Sequence, residues 1–130
     1  MPAVTIKYPR GFFNPAQKKA FISAVKQSVA THMDAVDPKT NERTQFASDP
    51  DKYIDLVLMP YNKSDAAVTT PLLATVVSYD WPDRMRNLKK RIKRITTEVR
   101  ATIPVYLVPE GYEAISFTFI EKQPGAWSVA

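Results

Sequence analysis

Four segments of the chain alternate apolar and polar residues, and two longer segments between them repeat apolar residues at every third or fourth position. Alternation is typical of a half-buried strand, and the longer repeat is typical of a helix with one buried side. The predicted strands are AVTIKY (3–8), YIDLVLM (53–59), PLLATVVSY (71–79) and ISFTFIEK (115–122). The third is the most continuously apolar, which favours a central position in a sheet.

Both predicted helices have recognisable boundaries and a buried side. Asn14 followed by Pro15 is typical of a helix start, because Asn caps free amides and Pro fits the first turn. This predicts one helix over about 15–34 and a second that opens within 80–83 and ends before Pro104. The apolar positions of the buried sides are Phe21, Val25, Val29 and Met33 in the first helix and Met85, Leu88, Ile92, Ile95 and Val99 in the second.

The order of elements is β-α-β followed by β-α-β, which divides a single domain of 1–130 into pseudo-repeats of about 1–62 and 70–130. Pro2 and Pro71 each open the first strand of their half. Parallel strands joined by a helix cross over in a right-handed sense. We therefore expect an α+β fold in which tandem β-α-β units form a four-stranded sheet with two helices on one face. The other face then needs a partner, which predicts a closed homo-oligomer.

Composition narrows the chemistry. The chain has 130 residues, of which 45% are hydrophobic and 24% charged, and this is the composition of one globular domain. With no cysteine and one histidine, disulfides, thiolate sites and multi-histidine metal centres are excluded. We expect neither a metal nor a cofactor. The N-terminus lacks a signal-peptide pattern and no run approaches the ~18 apolar residues of a membrane span, so we expect a cytoplasmic protein without a membrane partner.

The net charge of +5 is unevenly distributed along the chain. Seven of the 18 basic residues lie in the segment RMRNLKKRIKR, at 84–94. Such a cluster attracts nucleic acid, a membrane surface or small anions, or it is the solvated side of a helix. Because the segment lacks interleaved aromatic residues and no RNA-reader motif is present, we favour the solvated helix and do not expect a nucleic-acid partner.

Pro2 is the main candidate for chemistry. Proline is tolerated at a strand start, because it has no N–H to contribute to the ladder. Without Met1, however, its nitrogen is a secondary amine at the chain end, and such amines titrate near ~8. Burial lowers this pKa, so that the neutral amine acts as a base and then as an acid. Pro2 is small enough for removal of Met1, whereas retention of Met1 leaves only an amide nitrogen.

Several elements together resemble the tautomerase superfamily. They are Pro2 opening AVTIKY, the turn at Gly11, the helix NPAQKKAFISAVKQSV and the closing segment IEKQPGAWSV. The length and the two units resemble the fused subgroup, which includes malonate semialdehyde decarboxylase and the cis-3-chloroacrylate dehalogenases. The resemblance implies a homotrimer, catalysis by a proline freed of its methionine, no cofactor, and a small anionic substrate with a carboxylate.

The resemblance also implies substrate-binding residues. The family uses arginines to hold a carboxylate, a role that suits a bidentate guanidinium. Arg84 and Arg86 follow the third strand and match the decarboxylase pair with a shift, while Arg10 lies in the first turn. Arg10 precedes Gly11, whereas the short members have glycine before arginine. Trp127 matches the aromatic wall of the proline pocket. The alternative is that the arginines solvate the helix and that Trp127 belongs to the core or an interface.

Other family residues lack a clear counterpart. Val29 lies near the position of the dehalogenase histidine, and His32, one turn further, is predicted to be a surface or interface residue. The acidic group that activates water in hydratase members is not placed, and Glu42 is a weak match for the decarboxylase aspartate.

Three functions follow from these observations. The leading hypothesis is a tautomerase that uses Pro2 on a small carboxylated keto or enol compound, with decarboxylation or hydration and dehalogenation as alternatives within the superfamily. The second is a protein that binds nucleic acid through the basic segment. The third is a catalytically silent oligomeric homologue that retains Met1.

Overall fold

The computed structural model describes residues 2–66, 69–79 and 86–122, and within these ranges four strands form one mixed sheet. The strands are β1 (Ala3–Pro9), β2 (Asp55–Tyr61), β3 (Leu72–Tyr79) and β4 (Ile115–Lys122), in the spatial order β2-β1-β3-β4. β1 is parallel to β2, β3 is parallel to β4, and the two central strands β1 and β3 are antiparallel. The sheet therefore consists of two β-α-β units joined along their first strands.

The helices are α1 (Pro15–His32), α2 (Pro50–Tyr53) and α3 (Leu88–Arg100). The predicted start of α1 is confirmed as a complete capping box: the Asn14 side chain accepts from the Gln17 amide at 2.8 Å, and the Gln17 side chain accepts from the Asn14 amide at 3.0 Å. Each bond satisfies an amide that the first helical turn leaves without a partner.

One face of the sheet packs against α1 and α3, as the sequence predicts. The even-numbered residues of β1 and β3 point to this face, and the buried sides of both helices meet them there. The fully buried side chains of this core include Val4, Ile6, Leu72, Val76, Phe21, Val25, Val29, Met33, Ile95 and Val99. The apolar positions of the strands and those of the helices therefore form the two sides of the same helix–sheet interface.

The opposite face of the sheet carries no helix among the described residues. Apolar side chains remain exposed there, and Val57, at the middle of edge strand β2, has 57% of its surface accessible. Met59 on the same strand and Ile120 on β4 are exposed as well. An apolar sheet face left open in this way is typical of a surface that packs against another chain.

Two boundaries differ from the predictions. The stretch 37–51, predicted as a loop, contains a 3₁₀ turn at Phe46–Ser48 and the start of α2, so β2 begins two residues later than expected. Asp49 explains the extra turn, because its side chain caps the Lys52 amide ahead of the chain's entry into the sheet. The predicted opening of the second helix within 80–83 lies outside the described residues, and the described helix begins at Leu88. Among the described residues, no helix combines the length and the apolar character needed to cross a bilayer.

Candidate active site

Pro2 is buried at the head of central strand β1. Its carbonyl accepts a hydrogen bond from the Asp55 amide at 3.3 Å, which continues the β1–β2 ladder by one step. The antiparallel register of β1 with β3 pairs Ala3 with Val77, so its next step places Pro2 beside Ser78. The backbone of Pro2 is therefore fixed to β2 by a hydrogen bond and lies one residue beyond the β1–β3 ladder.

The same transverse row continues to the edge of the sheet. Ser78 pairs with Glu121 in the parallel β3–β4 ladder, and Pro2 lies level with Ile54 on the other side. We call these four residues, Ile54, Pro2, Ser78 and Glu121, the Pro2 row. Register partners project to the same face of a sheet, and Ile54 and Ser78 are both buried on the helix side. Since neighbouring strands are about 4.8 Å apart, the backbones of Pro2 and Glu121 are about 10 Å apart.

Ser78 is unusual within this row. Only 2% of its surface is accessible, yet its hydroxyl makes no hydrogen bond with any residue in the described ranges. The sequence interpretation missed Ser78, because a serine in an alternating strand is expected to face solvent. The alternation along β3 does indicate its burial, because Ser78 lies two residues after Val76 and four after Ala74, which are both on the buried side.

The predicted arginines are not all brought to this end of the sheet. Arg86 is exposed in the turn before α3, and its carbonyl accepts from the Arg91 guanidinium at 3.0 Å. Arg10 follows the far end of β1, where its Nε donates to Asn62 at 3.1 Å. Eight residues of extended chain separate Arg10 from Pro2, which corresponds to about 25 Å. Arg84 and Trp127 lie outside the described residues.

A pocket at the opposite end of the sheet includes Pro71. Its volume is about 180 Å³, and polar and apolar surface contribute about equally to its lining. The lining residues within the described ranges are Pro9, Phe12, Tyr61, Lys63, Ala66, Thr69, Pro71, Leu107 and Pro109. The Tyr61 hydroxyl donates to the Pro71 carbonyl at 2.7 Å, and burial raises the pKa of Tyr61. The Pro71 nitrogen is an amide within the chain and cannot act as a base, so the amine at this pocket is that of Lys63.

The two helices share a polar network. The Glu98 carboxylate accepts from the Ser28 hydroxyl at 2.6 Å and contacts His32 Nε2 at 2.8 Å, and the Ser28 hydrogen bond is the main cause of a lowered Glu98 pKa. His32 was expected at the surface or an interface, but its side chain is only 15% exposed because it is held between α1 and α3. Glu42 lies in an exposed turn bounded by the Val36–Arg43 bridge.

The part of the basic segment that the structure describes, 86–94, includes the first turns of α3. Lys89, Lys90 and Lys93 are exposed, and none of them forms an ion pair with a described residue. Two carboxylates that contact α1 and α3 bind other groups, Asp34 to Arg43 and Arg91, and Glu98 to Ser28 and His32. The choice between a solvated helix side and an anion-binding surface therefore stays a prediction from the sequence. No group of three or more potential metal-ligating side chains occurs within 2–66, 69–79 and 86–122.

Solved structures share this fold over nearly the whole chain. A fused 4-OT that forms an asymmetric trimer matches with a TM-score of 0.68 at 10% identity, covering 98% of this chain and 92% of that one. A malonate semialdehyde decarboxylase inhibited by 3-bromopropiolate matches with a TM-score of 0.58 at 12% identity, covering 98% and 88%. A member of the cis-3-chloroacrylic acid dehalogenase family matches with a TM-score of 0.61 at 9% identity, covering 93% and 75%.

Comparison of the sequence alone finds no match. No protein-family model matches the chain, and no curated protein matches it. The identities to the solved structures are low enough that their likeness speaks for the fold alone. At that level the resemblance inferred from the sequence is confirmed.

Proposed function

Because this chain has the tandem β-α-β fold of the fused 4-OT proteins, we propose that it is a tautomerase whose catalytic base is the Pro2 amine, exposed by removal of Met1. The observation that carries the proposal is the position of Pro2, buried at the head of a central strand and level with a buried hydroxyl and a carboxylate. A buried amine is desolvated, which disfavours its protonated form and leaves a free electron pair near neutral pH.

The reaction consists of one proton moved twice. The Pro2 nitrogen takes the proton of an enol hydroxyl and returns it to the neighbouring carbon, so an enol becomes a ketone and no co-reactant is consumed. The substrate is a small carboxylated keto or enol compound such as phenylpyruvate or a 2-hydroxydienoate. Its carboxylate is held by arginine, for which Arg86 and Arg84 are the candidates on the chain segment that follows β3.

We further propose that the protein assembles as a homotrimer through the open face of its sheet. Val57, Met59 and Ile120 would become buried there, which supplies the favourable free energy of association. The trimeric state of the fused 4-OT with the same fold supports this assembly. Because the helices occupy the other face, the sheet can associate without changing the packing of α1 and α3.

The test begins with the intact mass of the protein purified from its native host. A mass short by one methionine is expected, and that protein should ketonise phenylenolpyruvate in a spectrophotometric assay. Pro2→Ala should lower kcat/KM by about 100-fold or more, because general-base catalysis contributes on that order. Pro71→Ala is the matched control, since Pro71 also precedes a strand but has an amide nitrogen. A full-length mass, or an active Pro2→Ala variant, would instead support the silent homologue.

Hydration or decarboxylation is the second candidate, and Glu121 is the observation that favours it. It belongs to the Pro2 row, its backbone lies about 10 Å from that of Pro2 across β3, and register partners project to the same face of the sheet. A carboxylate in that position can act as the base for water while protonated Pro2 acts as the acid. Incubation with malonate semialdehyde or a 3-haloacrylate, followed by product analysis, distinguishes this chemistry from tautomerisation.

A further inference from the structure

The Ser78 hydroxyl is buried without a hydrogen-bond partner among the described residues, and the packing of the core does not explain it. Buried hydroxyl groups are nearly always hydrogen-bonded, because an unpartnered one has lost its contacts with water without replacement. Ser78 has 2% of its surface accessible and no hydrogen-bond partner in the described part of the chain. An alanine or a valine at this site would continue the apolar pattern of β3 without that cost.

The position of Ser78 indicates what its hydroxyl meets. Val77 pairs with Ala3 in the β1–β3 ladder, so extending this register by one residue puts Ser78 opposite Pro2. Directly opposed residues have their Cβ atoms about 5 Å apart. Both residues are buried, and both belong to the even-numbered set that faces the helices. A small molecule bound against the Pro2 nitrogen on that side therefore lies within reach of the Ser78 hydroxyl.

We propose that Ser78 is a catalytic residue of this site, whose hydroxyl donates a hydrogen bond to the keto or enol oxygen of the bound substrate. The assignment rests on the proposed function of Pro2. Negative charge develops on that oxygen when the Pro2 nitrogen removes its proton, and a fixed donor stabilises the charge most in a site without water. Ser78 keeps its own proton throughout, so the only proton transferred is the one that passes between substrate oxygen, Pro2 nitrogen and substrate carbon.

A donor with this role has two properties that a structural serine lacks. Its loss lowers kcat without weakening the fold, because no hydrogen bond within the protein is broken. Its hydroxyl is also the essential feature, so threonine replaces it better than alanine does. A serine that merely stabilises the strand shows the reverse, a lowered melting temperature with turnover preserved.

The experiment measures kcat, KM and melting temperature for Ser78→Ala and Ser78→Thr in Met1-free protein with phenylenolpyruvate. Ser23→Ala on the exposed side of α1 is the matched control. We expect Ser78→Ala to lower kcat by about 100-fold, the order found when one donor to a developing oxyanion is removed, with KM nearly unchanged and a melting temperature no lower than the parent's. Ser78→Thr should recover most of the activity.

The outcomes separate the two levels of the proposal. An active parent with an equally active Ser78→Ala variant overturns the role of Ser78 and leaves that of Pro2 in place. A Ser78→Ala variant that melts well below the parent also overturns it, because a hydrogen bond within the protein must then exist. An inactive parent whose mass confirms the loss of Met1 overturns the proposed function, and the role of Ser78 with it.

Discussion

Arg91 on α3 holds Asp34 beyond the end of α1 by two hydrogen bonds from the same guanidinium nitrogen. Its Nη1 donates to the Asp34 side chain at 3.0 Å and to the Asp34 carbonyl at 2.9 Å. The same nitrogen donates to the His32 carbonyl at 2.8 Å. Carbonyls at the end of a helix have no partner within the helix, so Arg91 closes α1 from the neighbouring helix.

Replacing Arg91 by glutamine should destabilise the protein by about 2 kcal/mol, because charged hydrogen bonds contribute about 1.5–3 kcal/mol and the carbonyls they satisfied would lose their donor. The Arg91 side chain is only 14% exposed, so water replaces it poorly. Urea unfolding measures the effect. Lys93→Gln, on the exposed side of the same helix, is the control and should stay within about 0.5 kcal/mol of the parent. Equal stability of the two variants would contradict the role assigned to Arg91.

Glu98 should make stability depend on pH in the acidic range. Its pKa is lowered from 4.5, first by the Ser28 hydroxyl and then by His32, so the folded state favours the ionised carboxylate. This stabilisation is fully present above the unfolded pKa near 4.5 and is lost as pH falls through the lower folded value. The difference in unfolding free energy between the parent and Glu98→Gln should therefore shrink below pH 5. Glu110→Gln, in an exposed turn, should show no such trend, and a constant difference for Glu98→Gln would refute the assignment.

Val57→Lys should dissociate the proposed trimer. The substitution puts a charge at the middle of the open sheet face, where burial on association would be unfavourable without a partner charge. Light scattering should then report about one third of the parent's molar mass. Val105→Lys is a matched control, because Val105 is even more exposed but lies in a 3₁₀ turn away from that face. A trimer that survives Val57→Lys would rule out this face as the interface.

Arg86→Gln should raise KM for a carboxylated substrate more than Arg10→Gln does. Arg86 follows the strand end at which Pro2 lies, whereas Arg10 is at the far end of β1 and is held by Asn62. Steady-state kinetics of the two variants, both compared with a substrate amide that lacks the carboxylate charge, measures the contribution. A larger effect of Arg10→Gln would mean that a neighbouring protomer supplies the arginine to the Pro2 site.

Local sequence patterns predicted most of the secondary structure. Asn14 and Pro15 located the start of α1 because capping depends on residues three positions apart, and β4 was predicted with its observed bounds. The sequence was less informative for residues whose role depends on contacts with residues far away in the sequence. His32 lies outside the apolar repeat of α1, so the sequence predicts an exposed side chain. Its side chain is nevertheless largely covered, because Glu98 on α3 binds it.

What the sequence determined by itself is the order of elements and the side of each that is buried, because periodicity acts over one or two turns of chain. Only the tertiary structure decided which residues meet across strands, because register is set by the packing of the whole sheet. That register brings Ser78 and Glu121 level with Pro2, whereas the length of β1 itself separates Arg10 from Pro2. No local pattern connects residues 2, 78 and 121, since they become neighbours only when the two β-α-β units pair along β1 and β3.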